Sequence, residues 1–376
     1  MDFSYSEEQN LLKDSVAKFI QNDYGYEERQ KLIHSELGYS ADHWRTFAEL
    51  GWLCVPFTEE DGGIGGGPIE TMILMEEFGK GLVVEPFFET VVLSGGILSR
   101  AASGEQKAEV IGGIIEGSRV VTTAYAEPDS RYDLHHVELS AVKDGDGYTL
   151  NGKKCFVMNG VNADTLIVVA RTSGQTRDES GISLFLVDPK SDGISMQSAP
   201  TLDGHNAAEI TFADVKVPAG SLLGSEGEGL PVLQASSQEA ILALAAEVVG
   251  MMEKLYKETV AYTKERKQFG VPISIFQALQ HRMVDMFTAY ELVKSLLLRA
   301  VLSYVNEDGE AEKNISALKF YLSTHGQKVA HEAVQIFGGM GMTDEMSIGM
   351  YLKRINVINT LFGNGDSHLK RFVELA

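Results

Sequence analysis

Glu265-Arg266-Lys267-Gln268-Phe269-Gly270 closes a long helical pattern, and the chain then turns through Gly270 and Pro272 toward Phe276-Gln277. Cations at a helix C-terminus gain from the helix dipole, so the plain reading of Arg266 and Lys267 is a cap. A second stretch, Gln335-Ile336-Phe337-Gly338-Gly339-Met340-Gly341, closes another helical pattern. Its glycines lack a Cβ and let backbone approach a ligand closely.

Working outward, helical periodicity begins at Gly229 and holds to the end of the chain. Four long helices are expected, over 230–268, 276–305, 310–337 and 346–375, with breaks at Gly270-Val271-Pro272, Asn306-Glu307-Asp308-Gly309 and Gly338-Gly339-Met340-Gly341. Long amphipathic helices joined by short links read as an up-and-down bundle. Upstream, from about Val120, strand-like runs replace helices at 120–126, 148–150, 155–158, 166–170, 183–187 and 209–212. Turn signals such as Asp144-Gly145-Asp146-Gly147 and Asn151-Gly152 separate them, which reads as a compact β domain. At the start of the chain, Ser6-x-x-Gln9 has the form of a capping box, and a helix over 41–50 should end at Gly51. Asp61-Gly62-Gly63-Ile64-Gly65-Gly66-Gly67-Pro68 lacks the Lys-Ser/Thr of a phosphate loop and reads as a tight loop, with helical pattern from 69 to about 117. The expected organisation is multi-domain α+β: a helical N-terminal domain over 1–119, a β-barrel-like middle domain over 120–226 and a C-terminal four-helix bundle over 227–376.

The 32 basic and 53 acidic residues leave a net charge of -21, which argues against nucleic acid as main partner. An anionic ligand in a local basic pocket remains compatible with that total. Two cysteines, Cys54 and Cys155, make neither a disulfide framework nor a metal set, and the nine histidines show no metal-ligand spacing. No signal peptide and no apolar run long enough for a bilayer are evident, so a reducing cytoplasm is the expected compartment.

Taken together, Arg266-x-Gln268-Phe269-Gly270, Phe276-Gln277 and Gln335-Ile336-Phe337-Gly338-Gly339 resemble the acyl-CoA dehydrogenase family. The order of an α domain, a β domain and a helical bundle resembles it over nearly the whole chain. The resemblance implies FAD as cofactor and an acyl-CoA substrate. It also implies an electron-transfer flavoprotein or similar acceptor, and a homotetramer or a heterotetramer with a homologous subunit. In the family these two segments grip the pyrophosphate and adenine half of FAD from a neighbouring subunit. Arg266 would then face phosphate and Phe269 would pack by the adenosine. Gln268, Gln277, Gln335, Gly338 and Gly339 would complete the grip.

The half-site around the flavin ring departs from the family pattern. The signature Thr-Glu-Pro-x-x-Gly-Ser-Asp is Ala126-Glu127-Pro128-Asp129-Ser130-Arg131-Tyr132-Asp133 here, so Ala126 loses a hydroxyl and Tyr132 stands in place of a small Ser. Asn-Gly-x-Lys-x-Trp-Ile-Thr-Asn-Gly is Asn151-Gly152-Lys153-Lys154-Cys155-Phe156-Val157-Met158-Asn159-Gly160, so Phe156 keeps an aromatic wall and Met158 loses a donor. Two lost hydroxyl contacts would weaken flavin binding by roughly 1–3 kcal/mol. The family reaction needs a carboxylate to take the α-proton. Where many members carry Tyr-Glu-Gly-Thr, this chain reads Thr360-Leu361-Phe362-Gly363-Asn364-Gly365-Asp366-Ser367-His368, with no Glu. Other members place the base early in the first bundle helix, where Ala240 stands here beside Glu239, and one residue is about 100° of helical rotation. Asp366, its neighbour His368 and Glu239 are the candidate relocated bases; for Asp366 and His368 a solvated or capping pair is the plainer reading. Within the family the chain resembles the small subunits of pimeloyl-CoA dehydrogenases, which implies a base-lacking subunit of a heteromeric enzyme for dicarboxylic or bulky acyl-CoA. A self-sufficient homotetramer and a flavin-free scaffold are the alternatives.

Overall fold

The computed structural model describes residues 4–376. In chain order come α1 (Glu7–Asp23), α2 (Tyr26–Ile33), α3 (Ala41–Glu49) and α4 (Pro68–Gly81). A π-helical segment, Phe88–Ser94, leads into α5 (Gly95–Ala101); a second, Lys107–Ile111, lies between α6 (Gly104–Gln106) and α7 (Gly112–Ile115). The strands are β1 (Val121–Ala124), β2 (Ser140–Asp144), β3 (Gly147–Met158), β4 (Thr165–Arg171), β5 (Ile182–Val187), β6 (Ile194–Pro200), β7 (Asn206–Pro218) and β8 (Leu222–Leu223). Then come α8 (Gly229–Glu265), the hairpin β9 (Lys267–Gln268) and β10 (Val271–Pro272), α9 (Gln277–Val305), α10 (Ala311–Phe337), α11 (Ile348–Ile358) and α12 (Gly365–Glu374).

These elements pack as two compact units. One comprises Leu32–Gly67 and Val84–Ala240 and holds an eight-stranded sheet in the order β6-β7-β3-β2-β4-β5-β8, with β1 beside β4. Pairing is antiparallel except where β1 and β2 meet β4. Its core is aliphatic, from Leu150, Leu166, Val168, Ala208 and Ile210, around a Tyr148–Phe185 edge contact at 4.9 Å. Valine- and isoleucine-rich β4 is buried along its whole length, as a strand covered on both faces must be.

The other unit comprises Met1–Lys31, Pro68–Val83 and Ile241–Ala376 and is helical apart from the β9–β10 hairpin. α1 is opened by a reciprocal capping box: Ser6 Oγ accepts the Gln9 N–H at 3.2 Å and Gln9 Oε1 accepts the Ser6 N–H at 2.9 Å. α4 and α8 cross backbone to backbone. A Cβ on Gly79 would sit 2.0 Å from the Glu247 carbonyl oxygen, and one on Gly250 would sit 1.8 Å from that of Glu76. Beside the crossing, Arg354 of α11 binds Glu247 with two hydrogen bonds, of 2.7 and 3.0 Å, and both side chains are buried. Removing one partner of such a pair leaves the other charge buried and alone.

Several expectations need correction. The helix expected over 230–268 stops at Glu265, because Lys267 and Gln268 turn back as β9. The helix expected over 346–375 is two, α11 and α12, divided by a turn in which Phe362 and Gly363 take φ +54° and +113°. The pattern over 69–117 is interrupted after Gly81, where Leu82 takes φ +53°. The runs at 148–150 and 155–158 are one strand, β3, kinked by two register shifts; α2, β2, β6 and β8 went unread. By length and composition α8 could cross a membrane, contrary to the expectation, but 72% of its apolar window is buried, as in the core helix of a folded protein.

The α4–α8 crossing makes Gly250→Ala the sharpest test of this packing. Overpacked cores lose about 1–3 kcal/mol, and backbone cannot move aside as a side chain end can. Chemical denaturation should place Gly250→Ala at or beyond the upper end of that range, with Gly112→Ala, at a helical φ and with nothing within 4 Å of its Cβ, as the contrasting control.

Candidate cofactor and active site

Both helix-end motifs lie in the helical unit, and the fold brings them together. Tyr262 near the end of α8 stacks on Phe337, the last residue of α10, at 4.1 Å between ring centroids and 14° between planes. Four residues after Tyr262, Arg266 gives its N–H to the Tyr262 carbonyl and takes the Ile273 N–H at 2.8 Å, which closes the base of the β9–β10 hairpin. Phe269 and Gly270 form the two-residue tip with φ +56° and +83°, the pattern of a type I′ turn. Such a turn favours Asn-Gly. Phenylalanine there costs about 1–2 kcal/mol of backbone strain. Phe269 is 92% exposed, and its ring meets that of Phe276 edge-on with centroids 6.2 Å apart. Among the described residues no ion pair or side-chain hydrogen bond holds the Arg266 guanidinium, in a chain of net charge -21. Gln268, Gln277, Gln335, Gly338 and Gly339 are all exposed, and nothing lies within 4 Å of where a Cβ on either glycine would stand.

In the sheet unit, the loop after β1 and the bulge of β3 lie side by side. Cys155 gives its N–H to the Ala126 carbonyl at 2.9 Å. A register shift between Lys154 and Val157 leaves Phe156 unpaired at φ +51°, with its ring 39% exposed. Met158 is buried, and its carbonyl takes the Thr122 hydroxyl at 2.6 Å. Sequence reasoning missed what holds this corner. Lys154 and Glu127 form a wholly buried ion pair at 2.7 Å. Lys154 Nζ also donates to the Tyr125 carbonyl at 3.2 Å, and Glu127 accepts the N–H groups of Glu138 and Leu139. Burial pushes the Lys154 ammonium down from its ordinary pKa against the pull of Glu127. Lysine and glutamate this deep need each other, and their presence in both motifs was the available signal. Glu127, His136 and Glu138 also stand close enough to hold a metal. The Lys154 ammonium already occupies the cation's place on Glu127, so the cluster is a salt bridge with neighbours.

The positions where a base was sought differ in how they are held. Ala240 is fully buried on α8. Glu239 is tied to Arg100 at 2.7 Å. Asp366 is exposed in the first turn of α12, behind the Asn364 cap that accepts the Ser367 N–H at 3.0 Å. His368 is buried rather than solvated: its Nε2 donates to the Phe362 carbonyl at 2.9 Å, and Nδ1 has no partner. Burial holds its pKa down at about 4, so the ring is neutral near pH 7. Nearby, the buried Lys319 gives a hydrogen bond to the Ile358 carbonyl at the end of α11, at 2.6 Å, and burial alone lowers its pKa to about 7.

Known proteins match this arrangement along its length. Models of the acyl-CoA dehydrogenase N-terminal, middle and C-terminal domains match residues 6–118, 122–215 and 227–374. Subunit CarC of the caffeyl-CoA reductase-Etf complex of Acetobacterium woodii is 31% identical over 378 residues, 98% of either chain. The chain belongs to the acyl-CoA dehydrogenase family. Among solved structures, the FAD complex of PigA is 27% identical with a TM-score of 0.91, over 100% of this chain and 98% of that one. The ChsE4-ChsE5 complex from Mycobacterium tuberculosis is 25% identical with a TM-score of 0.90, over the same shares. Acyl-CoA dehydrogenases are FAD-dependent oxidoreductases of CH–CH bonds, and α,β-dehydrogenation of an acyl-CoA is the chemistry of this family.

Measured against FAD, the two halves differ. The helix-end motifs fit a nucleotide: an exposed arginine with no counter-ion among the described residues, an aromatic ring held outward at a strained tip, and open backbone at Gly338 and Gly339. The ring end keeps its shape through the Lys154–Glu127 pair but offers no hydroxyl at Ala126 or Met158.

Charged hydrogen bonds contribute about 1.5–3 kcal/mol. Arg266→Gln should therefore weaken FAD retention about tenfold or more, with the thermal midpoint of the flavin-free protein unchanged, as flavin absorbance after gel filtration and calorimetry would report.

Lys319 carries a second expectation. A base whose pKa is lower folded than unfolded binds fewer protons in the folded state between the two values. Stability should therefore rise with pH from about 7 toward 10.5, by up to about 1.4 kcal/mol per pH unit. Lys319→Met should flatten that rise in denaturation midpoints taken across the window.

Proposed function

We propose that this chain is the non-catalytic subunit of a heteromeric acyl-CoA dehydrogenase, holding the ADP end of a flavin whose ring and base belong to a homologous partner. One observation supports the reading: among the described residues the Arg266 guanidinium has no ion pair or side-chain hydrogen bond, while Glu239 is bound to Arg100, Asp366 faces solvent and Gly363 carries no side chain. When bound, FAD supplies the hydride acceptor of the reaction. The residues of this chain neutralise phosphate charge through Arg266, cover the adenosine with Phe269 and admit the cofactor's polar edge to Gln277, Gln335 and the backbone of Gly338 and Gly339. None of them is placed to hold or move the substrate's α-proton.

The recorded association of ChsE4 with ChsE5, both in one complex, supports pairing of unlike chains. The name of the CarC complex supports an electron-transfer flavoprotein as acceptor. The substrate is proposed as a dicarboxylic or bulky acyl-CoA, on the resemblance to pimeloyl-CoA dehydrogenase small subunits, and Tyr132 in place of a small residue agrees with an altered pocket. Two free cysteines suit a reducing cytoplasm, and the division at 1–119, 120–226 and 227–376 is kept as the domain proposal.

The deciding experiment expresses the chain alone and together with its candidate partner. Alone it should hold well under one flavin per chain and show no acyl-CoA oxidation. The complex should hold one flavin per pair of unlike chains and turn over, and Arg266→Gln in this chain should lower that flavin content. A lone chain that carries a full complement of FAD and oxidises an acyl-CoA would place the base within this sequence and overturn the reading.

A further inference from the structure

In the sheet unit, α5 meets the first turns of α8 at Gly96. A Cβ built on Gly96 would stand 3.2 Å from Arg100 Nη1, 3.2 Å from Glu239 Oε2 and 3.5 Å from Ser236 Oγ. Arg100 bends back over the glycine. It gives an Nη1–H to the Gly96 carbonyl at 2.9 Å and an Nη2–H to Glu239 Oε1 at 2.7 Å. The Arg100 and Glu239 side chains are 30% and 24% exposed, whereas Ser236 is fully buried. An ion pair open to solvent thus stands over a bare glycine and a buried hydroxyl.

That hydroxyl is the odd member. A helical serine can return its proton to the carbonyl four residues back, and Ser237 does so, to Leu233 at 2.7 Å. Ser236 does not: among the described residues its Oγ has no hydrogen-bond partner. It faces Gly96 of the neighbouring helix instead. A buried orphan has lost its hydration without return, unless a bound group supplies the missing bond. The surroundings select the kind of group. Arg100 and Glu239 offset each other's charge, so a carboxylate would meet Glu239 Oε2 and an ammonium would meet Arg100 Nη1. A neutral group with an acceptor and a donor on neighbouring atoms suits all three side chains. Its acceptor takes the Ser236 O–H and an Arg100 N–H, and its donor goes to Glu239, whose oxygens each accept more than one hydrogen bond. A secondary amide is such a group, and an acyl-CoA carries two of them in its pantetheine arm.

We propose that Gly96, Arg100, Ser236 and Glu239 form a subsite for a secondary amide of the pantetheine arm of a CoA thioester. Gly96 admits the arm because it has no side chain, Ser236 and Arg100 hold the amide oxygen, and Glu239 holds the amide N–H. The subsite stands apart from the non-catalytic reading above: the chain holds the arm whether or not it performs the chemistry. It also gives the Arg100–Glu239 pair a use that a surface ion pair by itself lacks.

The test titrates the full chain, purified alone, with CoA and with ADP, which has a charged nucleotide and lacks the arm. Calorimetry reads both affinity and thermal midpoint. Ser236→Ala should weaken CoA about three- to tenfold, the loss of one hydrogen bond, and leave ADP unchanged. The same variant should raise the midpoint of the ligand-free protein by about 1–4 °C, because a buried unpaired hydroxyl is gone. Gly96→Ala should weaken CoA further, its methyl standing where the arm approaches. Beside Ser236 Oγ that methyl meets only the flexible ends of Arg100 and Glu239, so the chain still folds. CoA affinity within twofold of wild type in either variant, or no binding of CoA by wild type, would overturn the subsite. So would equal losses for CoA and ADP, which would mark a general disturbance. A lowered midpoint in Ser236→Ala would overturn it too, since the hydroxyl would then already have a partner in the protein. Turnover by the lone chain bears on the non-catalytic reading alone and leaves the subsite standing.

Discussion

α4 and α8 touch through bare backbone, and the helical unit is arranged around that contact. Gly79 and Gly250 face the carbonyls of Glu247 and Glu76, so each helix places its glycine against the other's main chain. Two helices this close cannot slide without a clash, since interiors are packed near crystal density. The contact also fixes the depth at which Glu247 meets Arg354, tying α11 to α8 by a buried pair. α8 is 37 residues long, so the crossing near its middle sets where its far end emerges. Arg266, Phe269 and the stack of Tyr262 on Phe337 stand at that end. A rigid rod pinned at one point presents its tip with little freedom, as a nucleotide grip requires.

The sheet unit solves its positioning problem electrostatically. The loop carrying Ala126 and the bulge carrying Phe156 adjoin a shared hydrophobic core through Ala124 and Val157, but apolar packing alone does not fix an angle. Lys154 and Glu127 fix it, because a buried ion pair is tolerated only in a narrow geometry. The strained backbone at Phe156 persists because its neighbours over-determine it. The shape of this corner therefore rests on buried charge and does not depend on which side chains stand at 126 and 158. Scaffold and contact can separate in this way because one depends on buried charge and the other on single exposed atoms.

Much of the fold was legible. The 3.6-residue period ran unbroken through α8, α9 and α10, and their boundaries were read within a few residues. Legibility failed where a local backbone choice overrode the period. Phe362 and Gly363 split the last helix by taking positive φ, and nothing in an apolar pattern records a dihedral. Phe269-Gly270 formed a hairpin tip although Phe is a poor turn residue, so the β9–β10 pair was read as a helix end. β2 and β6 bury few apolar side chains, and Val142 of β2 points to solvent, so the apolar/polar alternation that marks a strand is weak in both. At the site, Arg266 and the two glycines of the second motif were visible as residue types. The Lys154–Glu127 and Lys319–Ile358 contacts were not, because they join positions 27 and 39 residues apart.

Magnitudes decide which loss matters at the eroded half. Missing hydroxyls at 126 and 158 would cost roughly 1–3 kcal/mol of flavin affinity, a deficit that a partner's contacts can offset. On the proposed non-catalytic reading, the lack of a base is different in kind. General-base catalysis contributes about 10²–10⁴ in rate, and no binding energy elsewhere replaces a proton acceptor beside the acidic carbon. The nearest basic nitrogen in the relevant turn belongs to His368, and it spends its N–H on the Phe362 carbonyl within a pocket that holds the ring neutral. A neutral imidazole with a pKa of about 4 is a weak acceptor at neutral pH. In this turn His368 therefore serves as a donor that holds the backbone rather than as a proton acceptor.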